Sequence, residues 1–438
     1  MMWLQHPRWI IHSVWGPFHF YLTGAVLAIW NNPIYAPVIL NIVLSILMLF
    51  PFYFFVKREF NPDGAFAAVC LLAVSPVIFR NSMMNMSETP YLFLLVLTLN
   101  FISRGMRRNA VSDFILAGIF ASLGSAIRYE FWLFIAIFAF FAYLKSGIRF
   151  AIMFLSTGLI YPVMALASDF LLDNHAIKGF FASYPWSLHI QLATGFQDYL
   201  RRIWFYPLCL LVSLGPFAFI AVKELVWQMK GTFPASWCAQ IFFIFLLITI
   251  GNAFFGTILL HERFVSTIAL LAIPFISGWF KDISKVRIRL AAVFIISTVA
   301  LSYVYNLSNI TPLPRLSDQT GEKVSEIVNR SLGPGGGLVV DFWDWENTYY
   351  VALETKLGLN DLFVQEGDAL DTLRENAIDS IIVRHKHGVI LLVRNSKLWH
   401  NTEIKDNTLR FKFSSQILNT RTIFNNNEIK VWSYTDYH

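Results

Sequence analysis

Acidic residues are missing from the beginning of the chain, where the first carboxylate is that of Glu59. Glu59 directly follows Lys57 and Arg58, in a loop that the charge pattern described below assigns to the cytoplasm. Acid–base chemistry on the opposite face would therefore depend on Glu88 and later carboxylates, or on groups that this chain does not carry.

Cysteine and charge are also scarce. The three cysteines lie in apolar runs and are interpreted as small core residues, so they give no indication of the redox compartment. Charged residues make up 14% of the chain against 56% hydrophobic residues, a balance typical of membrane proteins. The net charge of +6 comes mostly from the loops described next and does not indicate a nucleic-acid partner.

Long apolar runs are abundant. Each run is about 16–22 residues long, enough to cross roughly 30 Å of hydrocarbon when tilt and interfacial residues are included. Because the backbone in lipid can satisfy its hydrogen bonds only as helix, we predict a polytopic α-helical membrane protein with about ten transmembrane helices. The runs begin near Pro37, Ala65, Pro90, Phe114, Phe131, Phe150, Trp204, Trp237, Val265 and Leu290.

Basic residues orient this bundle, because loops retained in the cytoplasm hold the excess of Lys and Arg. One set of alternate loops holds 13 basic residues and the other holds six. We assign the first set to the cytoplasm, and the second set and the chain after Asn306 to the extracytoplasmic face of a plasma, inner or endoplasmic-reticulum membrane. The first set contains Lys57, Arg58, Arg104, Arg107, Arg108, Lys145, Arg149, Lys223, Lys230, Lys281, Lys285, Arg287 and Arg289; the second contains Arg80, Arg128, Lys178, Arg201, Arg202 and Arg263.

The N-terminal segment Trp3–Trp30 has two interpretations. It is just long enough to span the membrane, yet Gly16-Pro17, His19 and its tryptophans suit a helix that lies in the headgroup zone. Both interpretations agree with the charge rule. We predict residues 1–35 as an interfacial segment of the first outer loop and residues 36–306 as the transmembrane bundle.

The composition changes after the last apolar run, and the pattern over residues 307–438 predicts an extracytoplasmic α/β domain. Helices are predicted at GEKVSEIVNRSL, TYYVALETKLG and DALDTLREN, and strands at GLVVDFW, LFVQE, DSIIVRH and GVILLV. A hairpin is predicted at RTIFNNNEIKVWSY. His385 and His387 are interpreted as surface residues, because two histidines alone are a weak metal signal.

Three polar groups lie at the outer ends of the apolar runs. Glu88 opens a helix, Arg128-Tyr129-Glu130 interrupts a long apolar stretch, and His261-Glu262-Arg263 precedes another helix. Each also has a structural interpretation, as a charge at a helix dipole, a local ion pair or an interfacial anchor. Charges this close to hydrocarbon are costly, which favours a functional role. We predict that Glu88, Arg128 and Arg263 converge on one pocket. A long outer loop, 168–202, has the length typical of a lid or binding loop.

In their order and topology, these motifs resemble those of GT-C glycosyltransferases, polytopic enzymes that take a sugar from a polyprenyl-phosphate carrier. Protein mannosyltransferases and aminoarabinose transferases are examples, and the resemblance covers about residues 12–306. The motifs are Trp15-Gly16-Pro17-Phe18-His19, Ser75-Pro76 with Ser87-Glu88, Arg128-Tyr129-Glu130, and Arg263-Phe264 with Pro274.

The resemblance implies an inverting membrane glycosyltransferase. It would transfer a sugar from a polyprenyl-phosphate donor to a glycan, lipid or protein acceptor on the extracytoplasmic face. The donor's lipid phosphate would bind Arg128 and the His261-Glu262-Arg263 motif, and Glu88 or Glu130 would supply the catalytic carboxylate. The motifs identify no cofactor, and binding of a divalent metal stays open.

Such enzymes also begin with a membrane helix and an acidic first outer loop, which this sequence lacks. We therefore expect the usual base upstream of Met1, or else an inactive relative. Two other classes stay open. A lipid or polysaccharide transporter or flippase predicts ionisable residues or Gly/Pro breaks at mid-membrane in repeat-related helices, which the sequence does not show. A non-catalytic GT-C-like membrane protein would explain the missing acidic loop.

Overall fold

The described part of the chain forms two compact units, one within His6–Thr311 and the other within Pro312–His438. The computed structural model describes residues 16–436, apart from 31, 33–34, 85, 174–194, 231–235, 257, 259, 281–283, 310–318, 344, 356, 359 and 366–371. Most of the predicted outer loop 168–202 and the first 15 residues therefore lie outside the described residues.

The first unit is entirely helical in the residues described. Its core is a continuous apolar cluster rich in phenylalanine, including Phe52, Phe114, Phe134 and Phe138. The helices are α1 (Pro17–Ile29), α2 (Tyr35–Glu59), α3 (Ala65–Val74), α4 (Pro76–Ser82), α5 (Glu88–Arg108), α6 (Val111–Ser125), α7 (Glu130–Ser146), α8 (Ile148–Gly158), α9 (Ile160–Asp173), α10 (Phe196–Leu214), α11 (Ala218–Met229), α12 (Trp237–Phe254), α13 (Val265–Ala272) and α14 (Lys285–Asn309), with 3-10 turns at Gly215–Phe217, Glu262–Phe264 and Ile273–Phe280.

All ten predicted apolar runs coincide with helices, which confirms a polytopic membrane protein. Within the described residues, six helices are long and apolar enough to cross a membrane, or up to eight if each of two bent pairs is one span. The runs that begin near Phe114 and Phe131 form α6 and α7, of 15 and 17 residues, which fall short of that length. By this criterion six to eight spans lie within the described residues, against about ten apolar runs in the sequence.

The two bent pairs show breaks that the apolar runs conceal. Helices α3 and α4 meet at 62° and α8 and α9 at 48°. The first bend lies at Ser75-Pro76, where proline removes a backbone donor and starts a new helix. The Ser75 hydroxyl donates to the Ser213 carbonyl at 2.9 Å, which ties this bend to α10. The bend redirects α4 and so positions its Arg80.

Polar side chains link the C-terminal ends of α2 and α5 to the N-terminal end of α12. Glu59 Oε1 accepts hydrogen bonds from Ser103 Oγ at 2.7 Å and Arg107 Nε at 2.8 Å, and its Oε2 accepts one from Trp237 Nε1 at 3.1 Å. Helix α5 has 21 residues and so is about 30 Å long. This polar cluster and Glu88 therefore lie at opposite ends of one helix. The Glu59 end carries the basic residues that the charge rule assigns to the cytoplasm.

The second unit contains one seven-stranded mixed sheet in the order β2-β1-β3-β7-β6-β5-β4. Strand β1 pairs in parallel with β2 and β3, whereas the remaining pairs are antiparallel. The elements are α15 (Gln319–Leu332), β1 (Gly337–Val340), α16 (Trp345–Glu354), β2 (Leu362–Val364), α17 (Thr372–Arg384), β3 (His387–Val393), α18 (Lys397–His400), β4 (Thr402–Lys405), β5 (Thr408–Phe411), β6 (Leu418–Asn425) and β7 (Ile429–Asp436).

Two sequence predictions in this unit were wrong. The stretch DSIIVRH, predicted as a buried strand, lies almost wholly within α17. Ile378, Ile381 and Ile382 are buried in the core between helix and sheet, at the i, i+3, i+4 spacing of one helix face. His385 was predicted as a surface residue but is buried. Its Nδ1 lies 2.9 Å from the Gly335 carbonyl oxygen, and its Nε2 lies 3.1 Å from Asp361 Oδ1.

Candidate active site

Glu88 is buried at the start of α5, with 4% of its side chain exposed. Ser87 occupies the N-cap but makes no side-chain capping bond, so residues of other helices hold the start of α5. Asn41 Nδ2 donates to the carbonyls of Met84 at 2.5 Å and Met86 at 2.9 Å, and the Thr89 hydroxyl donates to the Asn81 carbonyl at 3.0 Å. Helices α2 and α4 thus hold the turn that presents Glu88.

Arg128 lies between α6 and α7 and binds two carboxylates. Its Nη1 donates to Glu88 Oε1 at 2.7 Å, and its Nη2 donates to Glu130 Oε1, also at 2.7 Å. The Arg128 side chain is 8% exposed, whereas that of Glu130 is 37% exposed. Burial alone would lower the pKa of Arg128, but Glu130 and Glu88 outweigh it and raise the pKa, so the guanidinium stays charged. The local ion pair and the common site predicted from sequence are both present.

Arg263 reaches the same carboxylate from a distant part of the chain. Its Nε lies 3.5 Å from Glu88 Oε1, so Glu88 has arginines on two sides. The Phe264 ring lies between them, 5.0 Å from the Arg128 guanidinium carbon and 4.8 Å from that of Arg263. Both distances are within the range of cation–π attraction. The structure therefore brings Glu88, Arg128 and Arg263 together, as the sequence predicted.

The 3-10 turn at Glu262–Phe264 shapes this end of the cluster. The Arg263 amide donates to His261 Nδ1 at 3.3 Å, and Asn81 Nδ2 donates to the Arg263 carbonyl at 3.5 Å. Burial lowers the pKa of His261, and the neighbouring Glu262 offsets this only in part. The lowered pKa favours the neutral imidazole, which can contribute hydrogen bonds.

Arg80 belongs to the cluster although the sequence analysis counted it only as an outer-loop charge. Its Nη1 lies 2.8 Å from Glu262 Oε1, and its side chain is 9% exposed. The available signal was its position four residues after Pro76, in an otherwise apolar segment where an arginine is costly. The cluster therefore contains three arginines, Arg80, Arg128 and Arg263, and three glutamates, Glu88, Glu130 and Glu262. We call these six residues the arginine–glutamate cluster.

Helix α1 begins directly beside Arg128. The amides of Gly16 and Phe18 donate to the carbonyls of Ile127 at 3.2 Å and Ala126 at 2.9 Å. A Cβ at Gly16 would collide with the Ala126 carbonyl, so the close approach of the two backbones requires glycine there. The start of α1 and Gly16 before it are thus held against the same junction that carries Arg128.

The cluster offers no ready set of metal ligands. Each of its glutamates is already paired with an arginine. Across the described residues, no three His, Cys, Asp or Glu side chains are grouped as ligands. Two further histidines, His175 and His189, belong to the predicted outer loop 168–202 and lie outside the described residues.

The sequence of the first unit matches a known family. Residues 6–172 match the model of the dolichyl-phosphate-mannose-protein mannosyltransferase family. A comparison with curated proteins finds no significant sequence match. The family match includes α1 and the segments that carry Arg80, Glu88, Arg128 and Glu130.

Solved structures identify the fold of the chain. ArnT from Cupriavidus metallidurans bound to undecaprenyl phosphate is similar with a TM-score of 0.64 at 10% identity, over 99% of this chain and 91% of that one. The same ArnT in the apo state is similar with a TM-score of 0.62 at 11% identity, over the same shares of both chains. The Archaeoglobus fulgidus oligosaccharyltransferase in complex with Zn and sulfate gives 0.52 at 12% identity, over 86% of this chain and 59% of that one. The chain has the fold of the GT-C glycosyltransferases and is an integral membrane protein.

Proposed function

We propose that this protein transfers a sugar from a polyprenyl-phosphate donor to an acceptor hydroxyl at the membrane surface, and that the arginine–glutamate cluster binds the donor phosphate. The convergence of Arg128 and Arg263 on one buried carboxylate carries this proposal. Guanidinium groups are suited to phosphate because their planar fork donates two hydrogen bonds at once. The matched family and the ArnT structure with undecaprenyl phosphate support this class of donor.

The balance of charge in the cluster indicates how a phosphate would enter. Three arginines face three glutamates, so an added anion must displace a carboxylate rather than fill a positive site. Glu130 is the carboxylate with the most exposed side chain, 37%, against 25% for Glu262 and 4% for Glu88. The lipid phosphate would therefore replace Glu130 on Arg128. Glu88 would remain as the buried counter-ion that holds Arg128 and Arg263 in place.

This exchange also supplies a base. Of the two carboxylates that the resemblance implies, Glu88 already faces both arginines with its Oε1. Glu130, once released from Arg128, would take the proton of the acceptor hydroxyl. The acceptor oxygen would attack the anomeric carbon while the bond from that carbon to the phosphate oxygen breaks, which inverts the configuration. Polyprenyl phosphate would leave as an anion on Arg128 and Arg263, whose donors stabilise its developing charge.

The test separates donor binding from transfer. We expect Arg263→Gln to weaken binding of undecaprenyl phosphate to the purified protein by about 10- to 150-fold, the usual effect of losing a charge-assisted hydrogen bond. Glu130→Gln should instead strengthen binding, because a competing carboxylate is removed, while transfer falls by two orders of magnitude or more.

Arg108→Gln is the matched control, since Arg108 is exposed at the other end of α5. Binding that is equally weakened by Arg108→Gln and Arg263→Gln would contradict the proposed site. Weaker binding in Glu130→Gln would contradict the exchange.

A further inference from the structure

Helix α1 presents two polar side chains on the face that packs inwards. His19 is buried, and Leu22, Thr23, Val26 and Leu27 are partly buried, at the i, i+3, i+4, i+7, i+8 spacing of one helix face. An inward face of this kind normally carries apolar residues only. His19 and Thr23, four residues apart, therefore lie one above the other where hydroxyl and imidazole groups need partners.

One polar atom of each side chain has no hydrogen-bond partner among the residues that the structure describes. His19 Nδ1 and Thr23 Oγ1 are both buried atoms without a hydrogen bond, and His19 is only 9% exposed. Threonine in a helix commonly bonds a carbonyl of the preceding turn, as Thr98 does with Leu94 at 2.9 Å. Thr23 makes no such bond, so its hydroxyl is left for another group. A buried polar atom without a partner is costly, and a bound ligand is one way to satisfy both atoms.

The position of this pair connects it to the arginine–glutamate cluster. The first turn of α1 is bonded to the backbone of Ala126 and Ile127, directly before Arg128. The charge of Glu88 acts on the His19 imidazole and partly offsets the effect of burial, which lowers the pKa of His19 to about 4. The imidazole is therefore neutral at physiological pH, although it lies near a carboxylate.

The chemistry of these two side chains indicates the class of ligand that they can bind. A neutral imidazole and a hydroxyl can each donate or accept one hydrogen bond, but neither carries charge. Among the described residues no further His, Cys, Asp or Glu joins them as a set of metal ligands. Sugar hydroxyls, which are uncharged and also donate and accept, match both side chains. We propose that His19 and Thr23 bind hydroxyl groups of the donor's sugar, next to the phosphate held by Arg128 and Arg263. This inference rests on the proposed function and names the part of the site that recognises the sugar.

The experiment compares glycosylated with unglycosylated lipid. Binding of polyprenyl-phosphate mannose, polyprenyl-phosphate glucose and polyprenyl phosphate is measured on the purified full-length chain. We expect Thr23→Val and His19→Phe each to weaken binding of the better glycosylated probe by about three- to tenfold, the effect of one neutral hydrogen bond. Binding of unglycosylated polyprenyl phosphate should not change. His19→Asn, which keeps a polar atom near the place of Nδ1, should retain more of the affinity than His19→Phe.

Thr98→Val is the control, because the Thr98 hydroxyl is already bonded within its helix. Equal losses for glycosylated and unglycosylated probes, no loss in either variant, or equal wild-type affinity for all three probes would each overturn the sugar site. The proposed function fails separately, if the wild-type protein does not bind polyprenyl phosphate or if Arg263→Gln binds it as the wild type does.

Discussion

Arg128 connects most of the buried charge in the membrane unit, because it binds both Glu88 and Glu130 and lies against the Phe264 ring. Removing one member of a buried ion pair typically costs about 3–5 kcal/mol, since the partner charge is left without compensation. We therefore expect Arg128→Met to destabilise the membrane unit by an amount of that order. The double variant with Glu88→Gln should recover part of the loss, because the uncompensated charge is removed as well.

The three partly buried cysteines, Cys70, Cys209 and Cys238, allow the stability of the membrane unit to be measured. All lie in the helical unit, so the temperature at which a thiol-reactive dye labels them reports the unfolding of that unit alone. Arg108→Met is the control, because an exposed cation at a helix C-terminus contributes about 1 kcal/mol or less. If Arg128→Met and Arg108→Met shift the labelling temperature equally, Arg128 does not have the assigned structural role.

At the scale of elements, the start of α1 depends on the contact between Gly16 and the Ala126 carbonyl. A Cβ at position 16 would meet backbone atoms, which cannot move aside as a flexible side chain can. We expect Gly16→Ala to displace the first turn of α1 and to reduce sugar transfer at least tenfold. Gly24→Ala is the matched control on the same helix, since nothing lies within 4 Å of a Cβ there and alanine is the better helix former. Similar transfer rates in both variants would show that the contact is dispensable.

The same elements show why sequence predicted some features and not others. Glu88, Arg128 and Arg263 stood out because a charge within an apolar run is costly wherever the run folds. Arg80 carries the same signal, but the apolar runs assign it to an outer loop, and its burial depends on the bend at Ser75-Pro76, a tertiary feature. In the second unit, the Ile-Ile-Val run of DSIIVRH fits a buried strand and a buried helix face equally well. Packing against the sheet favours the helix, and the local sequence pattern carries no information about that packing.

At the scale of the whole molecule, the two ends of the helical unit differ in charge. The arginine–glutamate cluster is balanced, whereas the Glu59 end carries Arg58, Arg104 and Arg107 with further exposed cations. By the positive-inside rule we expect this basic end at the cytoplasmic face, so we predict that the arginine–glutamate cluster faces the other side of the membrane and that the chain after Asn306 lies outside the cytoplasm.

Single cysteines placed on exposed residues test this orientation. The three native cysteines are first changed to alanine, and one new cysteine is then introduced by Asn407→Cys or by Arg108→Cys. Asn407 lies at the exposed turn between β4 and β5, and Arg108 lies at the basic end of α5. In intact cells, an impermeant maleimide should label Asn407→Cys readily and should label Arg108→Cys only after the membrane is permeabilised. The reverse pattern would invert the topology. It would also place the phosphate-binding cluster at the cytoplasmic face, where the balance of basic residues would no longer follow the positive-inside rule.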